Sequence, residues 1–199
     1  KKATNDVLIV SAQNLDTLIR VDRIDSDHES EMLAAPIDSP GGSGANTACT
    51  LKMLGNRISI SGIVGADPQG QFLRDALELF KIDVSHLITT KGDEPTGRAI
   101  ILVEKGGKRF IVVRPGVNKQ FSKEASPANI LLAARNAKIL HLSSFTDTAS
   151  LEMQTGLAAE ACKATVVSLT PGALYAGRGL DGLSNLLGSV HVLFLYREQ

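Results

Sequence analysis

PGGSGANTACTLKMLG, residues 40–55, joins a glycine-rich turn directly to the start of a helix. Glycines at 41, 42 and 44 permit positive φ and let the backbone approach a ligand with no Cβ in the way. The helix that follows leaves its first amide N–H groups unpaired and facing outward, so the junction can hydrogen-bond an anion or a polyhydroxylated small molecule. A plain tight turn before a helix is the simpler alternative on this segment alone. The turn is not a phosphate-cradling P-loop, because no Gly-Lys-Ser/Thr follows it. Nor is it a dinucleotide fingerprint, because its glycines do not make G-x-G-x-x-G and no strand is expected directly before them.

Outward from this junction, short β-branched apolar runs alternate with helical patterns. Residues 7–10, a helix over about 43–54, residues 58–64 and a helix over about 68–80 form the first half. The second half repeats the rhythm with 139–142, a helix over about 148–163, 165–169, a weaker helix near 180–187 and 192–195. Asp67 and Pro68 suit an N-cap and N1 pair, and Gly55 suits the position just past a helix end. The expected fold is α/β, a doubly wound and mainly parallel sheet flanked by helices.

Two segments break the alternation and are expected to form a small β-sheet lid, at about 15–40 and 96–114. In the second, strands 98–104 and 108–114 flank the turn Lys105-Gly106-Gly107-Lys108. Its continuous apolar runs, AIILV and FIVV, must cover something on each face, a ligand on one side and another subunit on the other. A strand pair within the main sheet is the alternative. Residues 26–40 read as the most loop-like stretch.

Composition narrows the partners. With 199 residues and 43% apolar side chains the chain can bury a substantial core. Lysine plus arginine equal aspartate plus glutamate at 21 each, which gives no global field for nucleic acid or a membrane surface. Cys49 and Cys162 read as buried thiols, and the four-residue apolar run before Ser11 is too short for a signal-peptide core. A cytoplasmic protein with a small-molecule partner is expected.

Asn14 and Asp16 follow the first strand, where ligands of parallel α/β sheets bind. Two residues apart in an extended segment, they point the same way and offer a donor–acceptor pair and a strong acceptor to neighbouring hydroxyls, which suits a sugar. An Asx turn on the surface explains them equally well. Asn46, on the first turn of the helix after the glycines, can reach the same space. His28, His86, His141 and His191 lack metal-ligand spacing, no G-x-S-x-G elbow surrounds any serine, and Asp67 reads as a helix cap before a catalyst.

Together VLIVSAQNLD, GGSGANTACTLKMLG, GIVGADPQGQFLRDAL, TGRAIILVEKGGKRFIVVRPGVN and VLFLYREQ resemble the PfkB-type carbohydrate kinases, the ribokinase-like sugar kinases. The resemblance implies a doubly wound α/β domain with a β lid and transfer of the γ-phosphoryl group of ATP to a sugar, nucleoside or related hydroxyl. It places Asn14 and Asp16 at positions that hold sugar hydroxyls, and Gly41, Gly42 and Asn46 in the segment that closes around the sugar. It also implies a homodimer through the lid, and ATP and Mg²⁺ for the full-length family.

Departures from the family pattern set further expectations. The G-A-G-D signature with its catalytic aspartate does not occur before Gln199, so only the N-terminal portion of the fold is expected, with its C-terminal part missing. No catalytic residue is assigned, this chain alone is not counted on to bind ATP, and a non-catalytic sugar-binding or interaction protein, a truncated kinase remnant, is the alternative. Tyr196 and Gln199 stand where these kinases usually carry asparagine and glutamate, and Ser143 where ribokinase carries a sugar-binding glutamate.

Overall fold

A computed structural model describes residues 5–196 apart from residue 26. In chain order the elements are β1 (Asn5–Val10), β2 (Asn14–Val21), β3 (Ile37–Gly41), α1 (Ser43–Met53), β4 (Ile58–Val64), α2 (Pro68–Leu79) and β5 (Asp83–Thr89). A hairpin follows, β6 (Gly97–Glu104) and β7 (Arg109–Arg114), then a 3-10 turn (Gly116–Gln120) that runs into α3 (Phe121–Glu124). The remainder is α4 (Pro127–Arg135), β8 (Ala137–Ser143), α5 (Thr148–Ala161), β9 (Val166–Thr170), α6 (Gly172–Ala176), α7 (Gly179–Leu187) and β10 (Val192–Leu193).

Six strands form a parallel sheet in the order β10-β9-β8-β1-β4-β5. The order reverses at β1, which lies between β8 and β4, so the carboxyl end of β1 is the switch point where such sheets open a crevice. β1 is buried on both faces, which is why 7–10 reads as an unbroken apolar run. Leu8 and Val10 pack with Leu140, Leu142 and Val167 in one core cluster, together with Phe121, Phe145 and Tyr175. Val7 and Ile9 face the other way, against Ala45 and Ala48 of α1 and Leu73 of α2.

The second sheet has four strands in the order β3-β2-β6-β7 and is built from segments that leave and rejoin the main sheet. β2 pairs antiparallel with β3 and parallel with β6. The strand directly before the glycines corrects the expectation that none lies there. Ser39, Pro40 and Gly41 have poor strand propensity, but Leu15, Asp16 and Asn14 of β2 pair with them, so tertiary pairing overrides local preference.

β8, β9 and β10 extend the main sheet through the second half of the chain. The expectation of a fold lacking its C-terminal part is therefore corrected: both sheets are present along the chain. Gln199 lies outside the described residues. Helix punctuation follows the sequence: the Asp67 carboxylate accepts the Gly70 N–H at 2.7 Å, and Gly55 closes α1 at φ 88° with its N–H on the Lys52 carbonyl. Among the described residues no helix is long and apolar enough to cross a membrane.

Leu140 is fully buried in the middle of β8. Leu140→Ala is expected to lower the unfolding free energy by about 2–5 kcal/mol, through lost transfer energy plus the cavity left behind. Urea unfolding measures this directly, and a negligible shift would contradict the packing described.

Candidate functional site

The lid is rooted by two side chains. Asp67 accepts from the Thr96 N–H at 2.8 Å and the Thr96 hydroxyl at 2.5 Å, while the same hydroxyl accepts the Gly65 N–H at 2.9 Å. The helix cap thus also fastens the start of β6 to the end of β4. Asn118, 1% exposed, fastens the other end. Its Oδ1 accepts the Gln13 N–H at 2.9 Å, and its Nδ2 donates to the Gln13 carbonyl, the Pro115 carbonyl and Asn14 Oδ1 at 2.9, 2.9 and 3.1 Å.

This hub fixes the polarity of the site. A backbone N–H can only donate, so Asn118 must turn its oxygen to Gln13 and its amino group to Asn14. Asn14 must then accept through Oδ1, which leaves its own amino group as a donor. Gly97 makes the arrangement possible, because a Cβ there would lie 2.2 Å from Asn118 Nδ2 and 2.4 Å from Asn14 Oδ1.

Asp16 supplies the complementary acceptor. A Cβ on Gly41 would fall 1.9 Å from the Asp16 carboxyl carbon, so only glycine lets the two strands pair with this side chain between them. The Gly42 N–H donates to the carboxylate. Of the glycines at 41, 42 and 44, only Gly42 takes positive φ, at 96°. Gly41 is needed for its missing side chain, as is Gly44, where a Cβ would meet the Ser11 hydroxyl at 2.0 Å. Desolvation raises the Asp16 pKa above its ordinary value, against the lowering effect of the Gly42 amide.

These groups meet at one cleft of about 1140 Å³ between the lid and the main sheet, lined among others by Asn14, Asp16, Gly42 and Asn46. Gly41 lies just behind the carboxylate it accommodates. The cleft-facing side of the lid is apolar, with Ala99, Ile101, Ile111 and Val113. Asp16 is the one carboxylate and Arg109 the one permanently charged cation among the described lining residues.

The sequence did not single out Asn118 or place His141 in the cleft. His141 lines the cleft floor with Nδ1 2.9 Å from the Ser168 hydroxyl, and burial pulls its pKa down to about 4, so the ring is neutral at physiological pH. Their strand and turn positions carry no short-range signal, because Asn118 acts on residues about a hundred positions earlier. Ser143 is buried at the end of β8, and Tyr196 lines the cleft, well exposed.

The implied Mg²⁺ is usually held by one or two carboxylates together with substrate phosphates. Among the described residues no group of three or more His, Cys, Asp or Glu side chains could hold a metal ion, and the cleft offers a single carboxylate. These residues do not compose a magnesium cage.

The sequence profile of pfkB family carbohydrate kinases matches residues 6–198. The chain is 26% identical over 189 residues to a nucleoside kinase of Methanothermobacter thermautotrophicus, covering 95% of this chain and 59% of that protein. An uncharacterized sugar kinase of Archaeoglobus fulgidus is 28% identical over 149 residues, 75% of this chain and 58% of that protein. The crystal structure of a Methanocaldococcus jannaschii nucleoside kinase, an archaeal member of the ribokinase family, superposes with a TM-score of 0.82 at 23% identity. That match covers 100% of this chain and 62% of the other. The chain thus spans about three fifths of the length of these relatives.

The chain belongs to the pfkB family of carbohydrate kinases. The match over residues 6–198 and the superposition over 100% of the chain correct the expectation that only an N-terminal portion is family-like. The same match, which runs along the family profile to residue 198, corrects the expectation that the family's catalytic region is absent from this chain.

Because the folded-state pKa of Asp16 is raised, its ionised form costs stability above the unfolded-state pKa, and that cost is relieved as pH falls through the folded value. Asp16→Asn is therefore expected to equal or exceed the parent in urea midpoint at pH 7, with the difference shrinking toward pH 4. A variant clearly less stable than the parent at pH 7 would show that the carboxylate serves the fold.

Proposed function

We propose that this pfkB-family chain holds the hydroxyl-bearing acceptor of a phosphoryl-transfer reaction, a sugar or nucleoside, in the cleft between main sheet and lid. One observation carries the reading: Asn14 and Asp16 of β2 and Gly42 and Asn46 at the start of α1, from two separate segments, line a single cleft. Asp16 accepts hydrogen bonds from one or two acceptor hydroxyls, and the amino group of Asn14, aimed by Asn118, donates to another. Gly41 and Gly42 bring the backbone close enough for the ligand to be gripped from the lid side and the helix side at once.

Phosphoryl transfer draws most of its acceleration from positioning and from stabilising charge around the phosphate. ATP supplies the transferred group. The contribution of these residues is to orient the attacking hydroxyl and to shed its water, with Ile101, Ile111 and Val113 of the lid as an apolar cover. Asp16 performs this while ionised, so acceptor affinity is expected to hold at neutral pH and to fall as pH drops through its raised pKa. The opposite face of the hairpin exposes Ile100, Phe110 and Val112. We infer that this face pairs with a second copy of the chain.

Calorimetric titration with ribose and uridine tests the acceptor reading. Asp16→Ala is expected to weaken binding by at least tenfold, since a hydrogen bond to a charged group contributes roughly 1.5–3 kcal/mol. Unchanged affinity would remove Asp16 from the site. Light scattering tests the pairing: the parent is expected as a dimer and Phe110→Asp as a monomer, and a monomeric parent would refute it.

A further inference from the structure

Gln154 of α5 is fully buried, and both ends of its amide are engaged. Nε2 donates to the Val10 carbonyl at 3.2 Å and to the Ser143 carbonyl at 2.9 Å, while Oε1 accepts the Tyr175 hydroxyl at 2.8 Å. Carbonyls only accept, so the amide has one orientation here. Tyr175 of α6 is fully buried as well, and its hydroxyl oxygen takes the Phe145 N–H. Burial pushes the pKa of this phenol up, so it keeps the proton that Gln154 Oε1 accepts. The end of β1, the turn after β8 and α6 thus meet on two side chains.

Val10 and Leu142 are the last registered pair between β1 and β8. Beyond them the Ser11 N–H bonds to Ser61 of β4 while Ser143 pairs with Thr170 of β9, so the two chains turn to opposite neighbours and a crevice opens. Gln154 bridges the two strands at this parting. Ala12 and Asn14 on the β1 side, Ser143, Ser144 and Thr146 on the β8 side and Leu174 of α6 line the crevice. Gln154 and Tyr175 line neither it nor the main cleft. The segment from residue 10 to residue 14 is therefore held at both ends by buried amides, by Gln154 at Val10 and by Asn118 at Gln13 and Asn14.

We propose that Gln154 and Tyr175 are positioning residues of the acceptor site, which set the gap between the exits of β1 and β8 and with it the place of Asn14. The inference rests on the acceptor reading above and adds the side chains that shape that site from behind. Asn118 fixes which way the Asn14 amide turns, and Gln154 fixes how far it stands from the β8 side. A carboxamide can do this and an apolar core residue cannot, because one nitrogen holds a carbonyl from each strand in a dry interior where neither bond is readily replaced. Such placement counts in phosphoryl transfer, since a displacement of about 1 Å by a residue far from the reacting atoms can cost on the order of 100-fold. Tyr175 carries the link on to α6, where Gly172 lines the cleft and Leu174 the crevice.

Calorimetry with ribose and uridine tests the assignment, and Leu140→Ala serves as a control that loosens the same core without touching either side chain. Gln154→Leu is expected to weaken acceptor binding roughly tenfold or more through misplacement of Asn14. Tyr175→Phe, which removes one oxygen atom, is expected to weaken it about threefold, and to add less than about twofold once Gln154→Leu has broken the link. Leu140→Ala, although less stable, should bind like the parent. Thermal unfolding checks that each variant is folded at the titration temperature. Unchanged affinity in folded Gln154→Leu or Tyr175→Phe, or an equal loss in Leu140→Ala, would overturn the assignment while Asp16-dependent binding upheld the acceptor site. If neither probe binds the parent, the acceptor reading falls and the Asn14 side-chain amide resonances in NMR decide the link. Displacement by Tyr175→Phe and not by Leu140→Ala supports it; no displacement by Tyr175→Phe, or the same displacement in both, overturns it.

Discussion

The carboxamide of Asn118 is the interaction on which the site depends. Four chain crossings join lid to main sheet, and this single buried side chain ties the β1–β2 link to the exit of β7 through its bonds to Gln13, Asn14 and Pro115. Three acceptors share its two N–H hydrogens, so little freedom remains in either amide. An apolar residue here would leave the Gln13 N–H and carbonyl unpaired in a dry environment, a penalty of roughly 1–3 kcal/mol for each group. The hub also decides a chemical matter, because it compels Asn14 to present donors next to the acceptor oxygens of Asp16.

Asp16 illustrates the opposite relation between stability and function. Its carboxylate sits against Gly41 and under the Gly42 amide, half-removed from water, and its charge works against folding. A neutral or apolar residue would serve the sheet better. Retaining the acid gives the cleft a desolvated acceptor, where hydrogen bonds to a ligand gain strength from the low local dielectric. The glycine run serves the local packing in three distinct ways, by positive φ at Gly42, by room for Asp16 at Gly41 and by room for Ser11 at Gly44.

The main sheet was largely legible because its central strands are buried on both faces and several of its helices carry ordinary stop and start signals. Val7 to Val10, the Asp67–Pro68 cap and Gly55 all declare themselves locally. β3 did not, since Ser39, Pro40 and Gly41 look like a turn and become a strand only when β2 lies beside them. β5 was missed for a related reason: it is an edge strand, Asp83–Thr89, with mixed polarity and one fully buried residue, so no clear period marks it. α4 was overlooked despite its Ser126 cap and Pro127 start. Asn14, Asp16 and Asn46 could be singled out from their places at element ends. Asn118, Gln154 and Tyr175 could not, because what matters about them is which distant residues they meet.

The proposed acceptor site requires that Asn14 and Asp16 converge on the hydroxyls of one ligand. A crystal structure of the chain with bound uridine tests that most directly. Sugar hydroxyls are expected at hydrogen-bonding distance, roughly 2.5–3.2 Å, from both the Asp16 carboxylate and the Asn14 amino group. A ligand seated elsewhere, or one whose hydroxyls make no contact with Asp16, would contradict it.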